Sequence, residues 1–234
     1  MKNMTLMQHF AELRRRILWT LGIFLAAFVA GWYVSPWAMK VLTAPLMDAH
    51  GGALLYTSLT DGLMIRLSLA ACVAIMLTVP VALWNIWAFI APGLRAGERG
   101  FIWPVMILSP VLFVTGAAFA FYVLFPFAFR FFIELANDTP VPAVLMPAAR
   151  DYLSFAIGML KVFGLAFQMP IVLVLLNRIG VLPRAAMVRM RRYAIVIIVV
   201  AAAVLTPPDV VSQILLALPM WALFEISLLF MRRD

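Results

Sequence analysis

The sequence predicts an all-α membrane protein with six transmembrane helices, both termini cytoplasmic, and short helices 5 and 6 forming a hairpin. Three observations predict it. Hydrophobic residues make up 66% of the 234-residue chain and charged residues only 12%, where a soluble domain carries about 25% charge. The mean hydropathy is +1.06, and the apolar residues fall in runs separated by polar or proline-rich breaks. Lysine and arginine gather in alternate loops, as topology demands of a polytopic chain.

In order, the expected helices cover about 17–37, 66–91, 104–126, 153–177, 193–205 and 210–230 of a single domain, 1–234. The polar start from Met1 to Arg16 lacks a small-residue cleavage site, so the first run is expected to be a resident helix. Breaks are expected at Ser35-Pro36, Ala44-Pro45, Ala91-Pro92-Gly93 and Pro126, and from Gly180 to Pro183. The stretch around 128–150, with Pro140, Pro142 and Pro147, is too polar and broken to cross and is expected to form a cap with short helices. Thr206-Pro207-Pro208-Asp209 separates the last two runs. The fifth run, Tyr193 to Leu205, has 13 residues, about 20 Å of helix, against the roughly 30 Å of a hydrocarbon core. A locally thinned bilayer is expected there, since mismatch costs fractions of a kcal/mol per Å.

Loop charge orients the chain. Thirteen cations belong to one side: Lys2, Arg14, Arg15 and Arg16; Arg95 and Arg99; Arg178, Arg184, Arg189, Arg191 and Arg192; Arg232 and Arg233. Three belong to the other, Lys40, Arg130 and Arg150. The richer side is cytoplasmic. The net charge of +8 is thereby explained without nucleic acid as a partner. Neither a phosphate-binding glycine loop nor a metal-ligand spacing is present, so no cofactor and no metal is expected. Cys72 is the lone cysteine, and both histidines, His9 and His50, fall in polar segments. An intramembrane hydrolase would need a nucleophile and base inside the bundle, so no enzyme is expected. A secondary transporter of small solutes is the alternative, but it predicts inverted repeats and paired interrupted helices, which the sequence does not display.

The motifs carry a resemblance. Gln8-His9-Phe10-Ala11-Glu12-Leu13-Arg14-Arg15-Arg16 resembles the His-Leu-x-Glu-Leu-Arg-x-Arg start of the TatC family, the multispanning receptor subunits of the twin-arginine protein translocase. In family order follow Trp84-Asn85-Ile86-Trp87-Ala88-Phe89-Ile90-Ala91-Pro92-Gly93-Leu94 with Glu98-Arg99, then Phe119-Ala120-Phe121-Tyr122 with Pro126. Phe163-Gly164-Leu165-Ala166-Phe167-Gln168-Met169-Pro170, Arg191-Arg192-Tyr193-Ala194, Thr206-Pro207-Pro208-Asp209-Val210-Val211-Ser212-Gln213 and Leu223-Phe224-Glu225-Ile226 complete the match. Gln168 stands where the family usually has Glu, and Phe10 where Leu is commoner.

The resemblance implies a core subunit of the bacterial inner membrane, multi-pass and non-enzymatic. It would bind twin-arginine signal peptides of folded precursors at its cytoplasmic face. It would also assemble, as a homo-oligomer in the complex, with TatA- or TatB-type single-helix partners for export driven by the proton gradient. Signal-peptide recognition then falls to Glu12, Arg14, Phe89, Pro92 and Glu98, since a carboxylate accepts the fork of a guanidinium. The plainer reading of Glu12 and Glu98 is an ion pair with Arg14, Arg15 or Arg99. Arg14 and Arg16 also fit a plain positive-inside role, and the motif favours Arg14. Gln168 is too deep to reach the surface, so it needs a partner in the bundle or faces a cavity taken by a signal peptide or partner helix. Lys161, seven residues earlier on one helix face, can snorkel. Arg66 is expected to snorkel or pair with Asp61, and Glu225 to do the same towards Arg232. Thr206 and Gln213 flank the Pro-Pro break and are the expected docking site for partner helices.

Overall fold

The computed structural model describes residues 6–50, 53–93, 99–137, 146–205 and 210–231. All elements among them are helical: α1 (Leu6–His50), α2 (Asp61–Ile90), a 3₁₀ turn (Ala91–Gly93), α3 (Arg99–Phe119), a π turn (Ala120–Leu124), α4 (Phe125–Asn137), α5 (Ala149–Ala166), α6 (Met169–Arg178), α7 (Arg184–Arg189), α8 (Arg191–Leu205) and α9 (Val210–Phe230). Five stretches are long and apolar enough to cross a membrane: His9–Asp48, Asp61–Ile90, Ile102–Ala136, Ala149–Arg178 and Gln213–Phe230. The sixth, α8, has 15 residues, about 22 Å of helix, and so retains the shortness expected from its sequence.

Several expected breaks are absent. α1 runs unbroken for 45 residues through Pro36 and Pro45, and the third span passes through Pro126. Proline withholds one helix hydrogen bond, and a membrane helix accepts it when the freed carbonyl finds another donor. At Pro36 the freed carbonyl belongs to Trp32, and the Ser35 hydroxyl donates to it at 2.7 Å. Ahead of Pro126 the helix widens into the π turn, where the Phe125 N–H reaches back to the Ala120 carbonyl. The Gly180 break does occur, because Gly180 takes φ +76°, a left-handed turn that closes α6. There Val181 and Leu182 donate to the Leu176 carbonyl at 3.0 and 3.1 Å.

The fourth span is interrupted instead in its middle. α5 ends at Ala166 and α6 begins at Met169, because Pro170 offers no N–H to continue the ladder. Of the stretch expected to form a cap, the described residues hold the short helix α4, which runs to Asn137, and an extended stretch at 146–148 whose Ala148 bridges Leu55. Pro140 and Pro142 lie outside the described residues. Leu55 donates to Pro147 at 3.1 Å and accepts from Ala149 at 2.8 Å. Asp61 anchors the same loop: its buried carboxylate accepts from the Thr57 and Ser58 N–H groups, both at 2.8 Å, and from the Thr57 hydroxyl at 3.0 Å. Its charged neighbour is Arg150, at 3.9 Å, and not Arg66. Arg66 lies over the Trp32 ring at 5.1 Å and donates to the Ser35 hydroxyl at 3.3 Å.

α5 is the centre of the fold, flanked by α1, α2 and α3. Its buried face, with Leu153, Ala156, Leu160 and Phe163, joins Phe125 and Phe129 in one apolar core. Gly116 of α3 lets the helices touch backbone to backbone: a Cβ there would strike the Phe163 carbonyl. A second, smaller core packs α9 on α6 and α7 through Val174, Met187, Phe224 and Leu228.

Candidate functional site

The amino-terminal part of α1 is fixed against the last turns of α2. His9 stacks on Phe89 with ring centroids 4.2 Å apart and planes 22° from parallel. One turn on, Glu12 meets Arg16 in an i, i+4 pair. The Arg16 Nε and Nη2 both donate to Glu12 Oε1, at 3.0 and 2.6 Å. Arg16 also reaches Asn85 Oδ1 at 3.5 Å, and Asn85 Nδ2 donates to the Thr20 hydroxyl at 3.1 Å. Among the described residues the partner of Glu12 is Arg16, and not Arg14 or Arg15; Arg14 is exposed, and the Arg99 side chain lies outside the described residues.

This leaves the Glu12 carboxylate lopsided. Oε1 holds two donors, while Oε2 is buried and, among the described residues, has none. A buried oxygen without a donor costs about 1–3 kcal/mol, more when charged. The arrangement holds the carboxylate in one orientation and leaves one buried oxygen with unused acceptor capacity among the described residues. Alongside, α1 and α2 border an open groove of about 630 Å³ lined by Arg16, Ile17, Phe24, Asn85, Ile86 and Phe89. Pro92 is exposed in the 3₁₀ turn that follows α2. Glu98 lies outside the described residues.

Gln168 is elsewhere, buried at the α5–α6 break against α3. Ser109 Oγ donates to Gln168 Oε1 at 2.5 Å, and Gln168 Nε2 donates to the Ser109 carbonyl at 2.9 Å. The partner the sequence demanded is thus Ser109. The amide closes a two-bond ring, and the structure does not bring it to Glu12. Lys161 lies in α5 and Gln168 in the break itself, between Ala166 and Met169.

At the α8–α9 hairpin, Gln213 Nε2 donates to the Val199 carbonyl at 3.0 Å. Thr206 lies outside the described residues. Beside Gln213 is an apolar recess of about 320 Å³ between Ile195, Val199, Ile214, Leu218 and Trp221. At the other end of the hairpin, Arg191 Nη2 donates to Glu225 Oε2 at 2.8 Å. Glu225 therefore pairs with Arg191; Arg232, towards which it was expected to reach, lies outside the described residues.

The family model of the Sec-independent protein translocase protein TatC matches residues 8–219. The chain belongs to the TatC family. It is 36% identical to the Sec-independent protein translocase protein TatC of Magnetococcus marinus over 229 residues, 97% of this chain and 83% of the relative. It is also 36% identical to the TatC of Escherichia coli K12, over 97% of this chain and 88% of the relative. A crystal structure of the twin-arginine translocase receptor TatC superimposes with a TM-score of 0.85 at 33% identity, covering 95% of this chain and 97% of that one. As a TatC-family chain it is a multi-pass membrane protein of the protein-transport class.

Arg16, Asn85 and Thr20 are the polar residues that sequence reasoning passed over. Arg16 was indistinguishable from other arginines of the positive-inside set. The available signal was Thr20 and Asn85, two uncharged polar residues set in apolar runs of neighbouring helices.

Proposed function

We propose that this chain is the receptor subunit of a bacterial twin-arginine translocase in the cytoplasmic membrane, with both termini in the cytoplasm. Its amino-terminal site binds the twin-arginine segment of signal peptides on folded precursors. The observation that carries this reading is Glu12. One oxygen is fixed by Arg16, and the other is buried beside an apolar groove without a donor among the described residues. An arriving guanidinium supplies donors in the geometry a carboxylate accepts. The groove bordered by Ile17, Phe24 and Phe89 suits the apolar stretch that follows in a signal peptide. Glu98, Arg14 and Pro92 are assigned to the same face on the family's motif. TatA- or TatB-type helices dock on the α8–α9 hairpin, where the short α8 thins the membrane and Gln213 offers polar atoms. The subunit assembles with further copies of itself, binds no cofactor and catalyses no covalent chemistry.

The test is crosslinking and export of a twin-arginine reporter in cells lacking their own subunit. Glu12→Ala and Glu98→Gln are expected to abolish both, with the protein still inserted in the membrane. Wild-type crosslinking in both variants would reject the assignment.

A further inference from the structure

At the end of α2 opposite Phe89, a cavity of about 320 Å³ opens between α2 and α5. Its walls carry two cations, Arg150 and Lys161, where the α1–α2 groove has only Arg16 and the recess beside Gln213 has no charged residue. α5 contributes Arg150, Ser154, Ile157 and Lys161, spaced i, i+4, i+7 and i+11 and so on one helix face. α2 presents Ser68, Cys72 and Ile75 to the same volume with matching spacing.

Lys161 is the informative residue. It lies eleven positions beyond Arg150, about 16 Å further along the helix, within a span of mean hydropathy 2.1. None of the ion pairs among the described residues includes it. A cation at membrane depth is costly and normally has a counter-charge. Arg150 is partly matched by Asp61 at 3.9 Å, yet its side chain remains 60% exposed. Together Arg150, Lys161 and Asp61 leave one positive charge, on a cavity with two serine hydroxyls and otherwise apolar walls.

We propose that this cavity binds the phosphate of an anionic phospholipid in the leaflet opposite the arginine-rich ends of the helices. Lys161 and Arg150 provide the charge, Ser68 and Ser154 donate hydrogen bonds, and the acyl chains lie along Ile75 and Ile157. A basic pocket between membrane helices is the setting in which lipid headgroups are recognised. The single net positive charge favours a headgroup with one net negative charge, such as phosphatidylglycerol, over zwitterionic phosphatidylethanolamine.

Native mass spectrometry of the full chain in nanodiscs of equal phosphatidylglycerol and phosphatidylethanolamine tests this. The wild type is expected to retain phosphatidylglycerol preferentially. Lys161→Met should lower that preference about fivefold, the usual worth of one basic side chain near a charged lipid surface, and Lys161→Arg should preserve it. Should Lys161→Met not accumulate, Lys161→Gln gives the same reading. Equal retention of the two lipids by the wild type, or a preference unchanged when the charge is removed, would overturn the proposal. Displacement of the lipid by millimolar inorganic phosphate would also overturn it, in favour of a soluble-anion site.

Discussion

The α3–α5–α6 contact and the α8–α9 hairpin solve the same problem in opposite ways. Both place polar side chains at membrane depth. In the first, Ser109 and Gln168 satisfy each other in a closed ring, and Gly116 brings the backbones together. In the second, Gln213 has, among the described residues, one bond, to a carbonyl already inside a helix. Along the hairpin Val196, Ile197 and Val204 are 59%, 63% and 79% exposed. Lipid is as apolar as these side chains, so their exposure costs nothing in itself. The closed contact is built to be rigid, and the open one has surface left for other helices.

The largest expected effect breaks the closed contact. Gly116→Val places a branched side chain against the Phe163 carbonyl, which cannot move without shifting α5. Overpacking of this kind costs on the order of 3 kcal/mol. The thermal midpoint in detergent should fall steeply and yield should drop. Gly22, whose Cβ would meet nothing within 4 Å, is the matched control, and Gly22→Ala should leave the midpoint in place.

Next comes Gln168. Gln168→Leu leaves the Ser109 hydroxyl without its buried acceptor and should cost about 2 kcal/mol. Gln168→Glu is more discriminating. An ionised carboxylate accepts from Ser109 Oγ but faces the Ser109 carbonyl where Nε2 now donates, whereas a protonated acid can donate there. The Glu variant should therefore be most stable at low pH and lose stability as pH rises and the acid ionises. A pH-independent thermal midpoint would mean that the ring does not set the stability of this break.

Arg191 and Glu225 offer a smaller effect in the hairpin. Their side chains are 48% and 30% exposed, and a pair of that kind is worth at most about 1 kcal/mol. A double-mutant cycle with Arg191→Ala and Glu225→Ala should return a coupling energy below that value. A larger coupling would place this hairpin end among the rigid contacts.

How far the sequence could lead differs between the same two regions. The hairpin was legible because its features are local: a 13-residue apolar run, a Pro-Pro break, arginines at the start. The closed contact was legible only as a need. Burial of Gln168 required a partner, but Ser109 lies 59 residues away, and no local pattern pairs them. Arg150 and Asp61, or Tyr152 and the Leu42 carbonyl 110 residues away, were hidden for the same reason. Proline misled in the other direction. Pro36, Pro45 and Pro126 read as breaks because a soluble helix rarely tolerates them, whereas here a serine hydroxyl and a π turn absorb two of the three. At the amino-terminal site the motif located Glu12 and Phe89, while Arg16 and Asn85 needed three-dimensional contact to stand out.

The smallest expected effect on folding is the most informative about partners. Gln213→Leu removes one hydrogen bond to the Val199 carbonyl, which keeps its helical partner, so the fold should lose well under about 1 kcal/mol. If the hairpin is the surface on which single-helix partners assemble, the same change should markedly weaken their crosslinking to α8 and α9. Stability and assembly then separate: Gly116→Val lowers both by damaging the bundle, whereas Gln213→Leu lowers assembly alone. Wild-type crosslinking in Gln213→Leu would leave Gln213 as no more than a tie between two helices and move partner docking to another part of the surface.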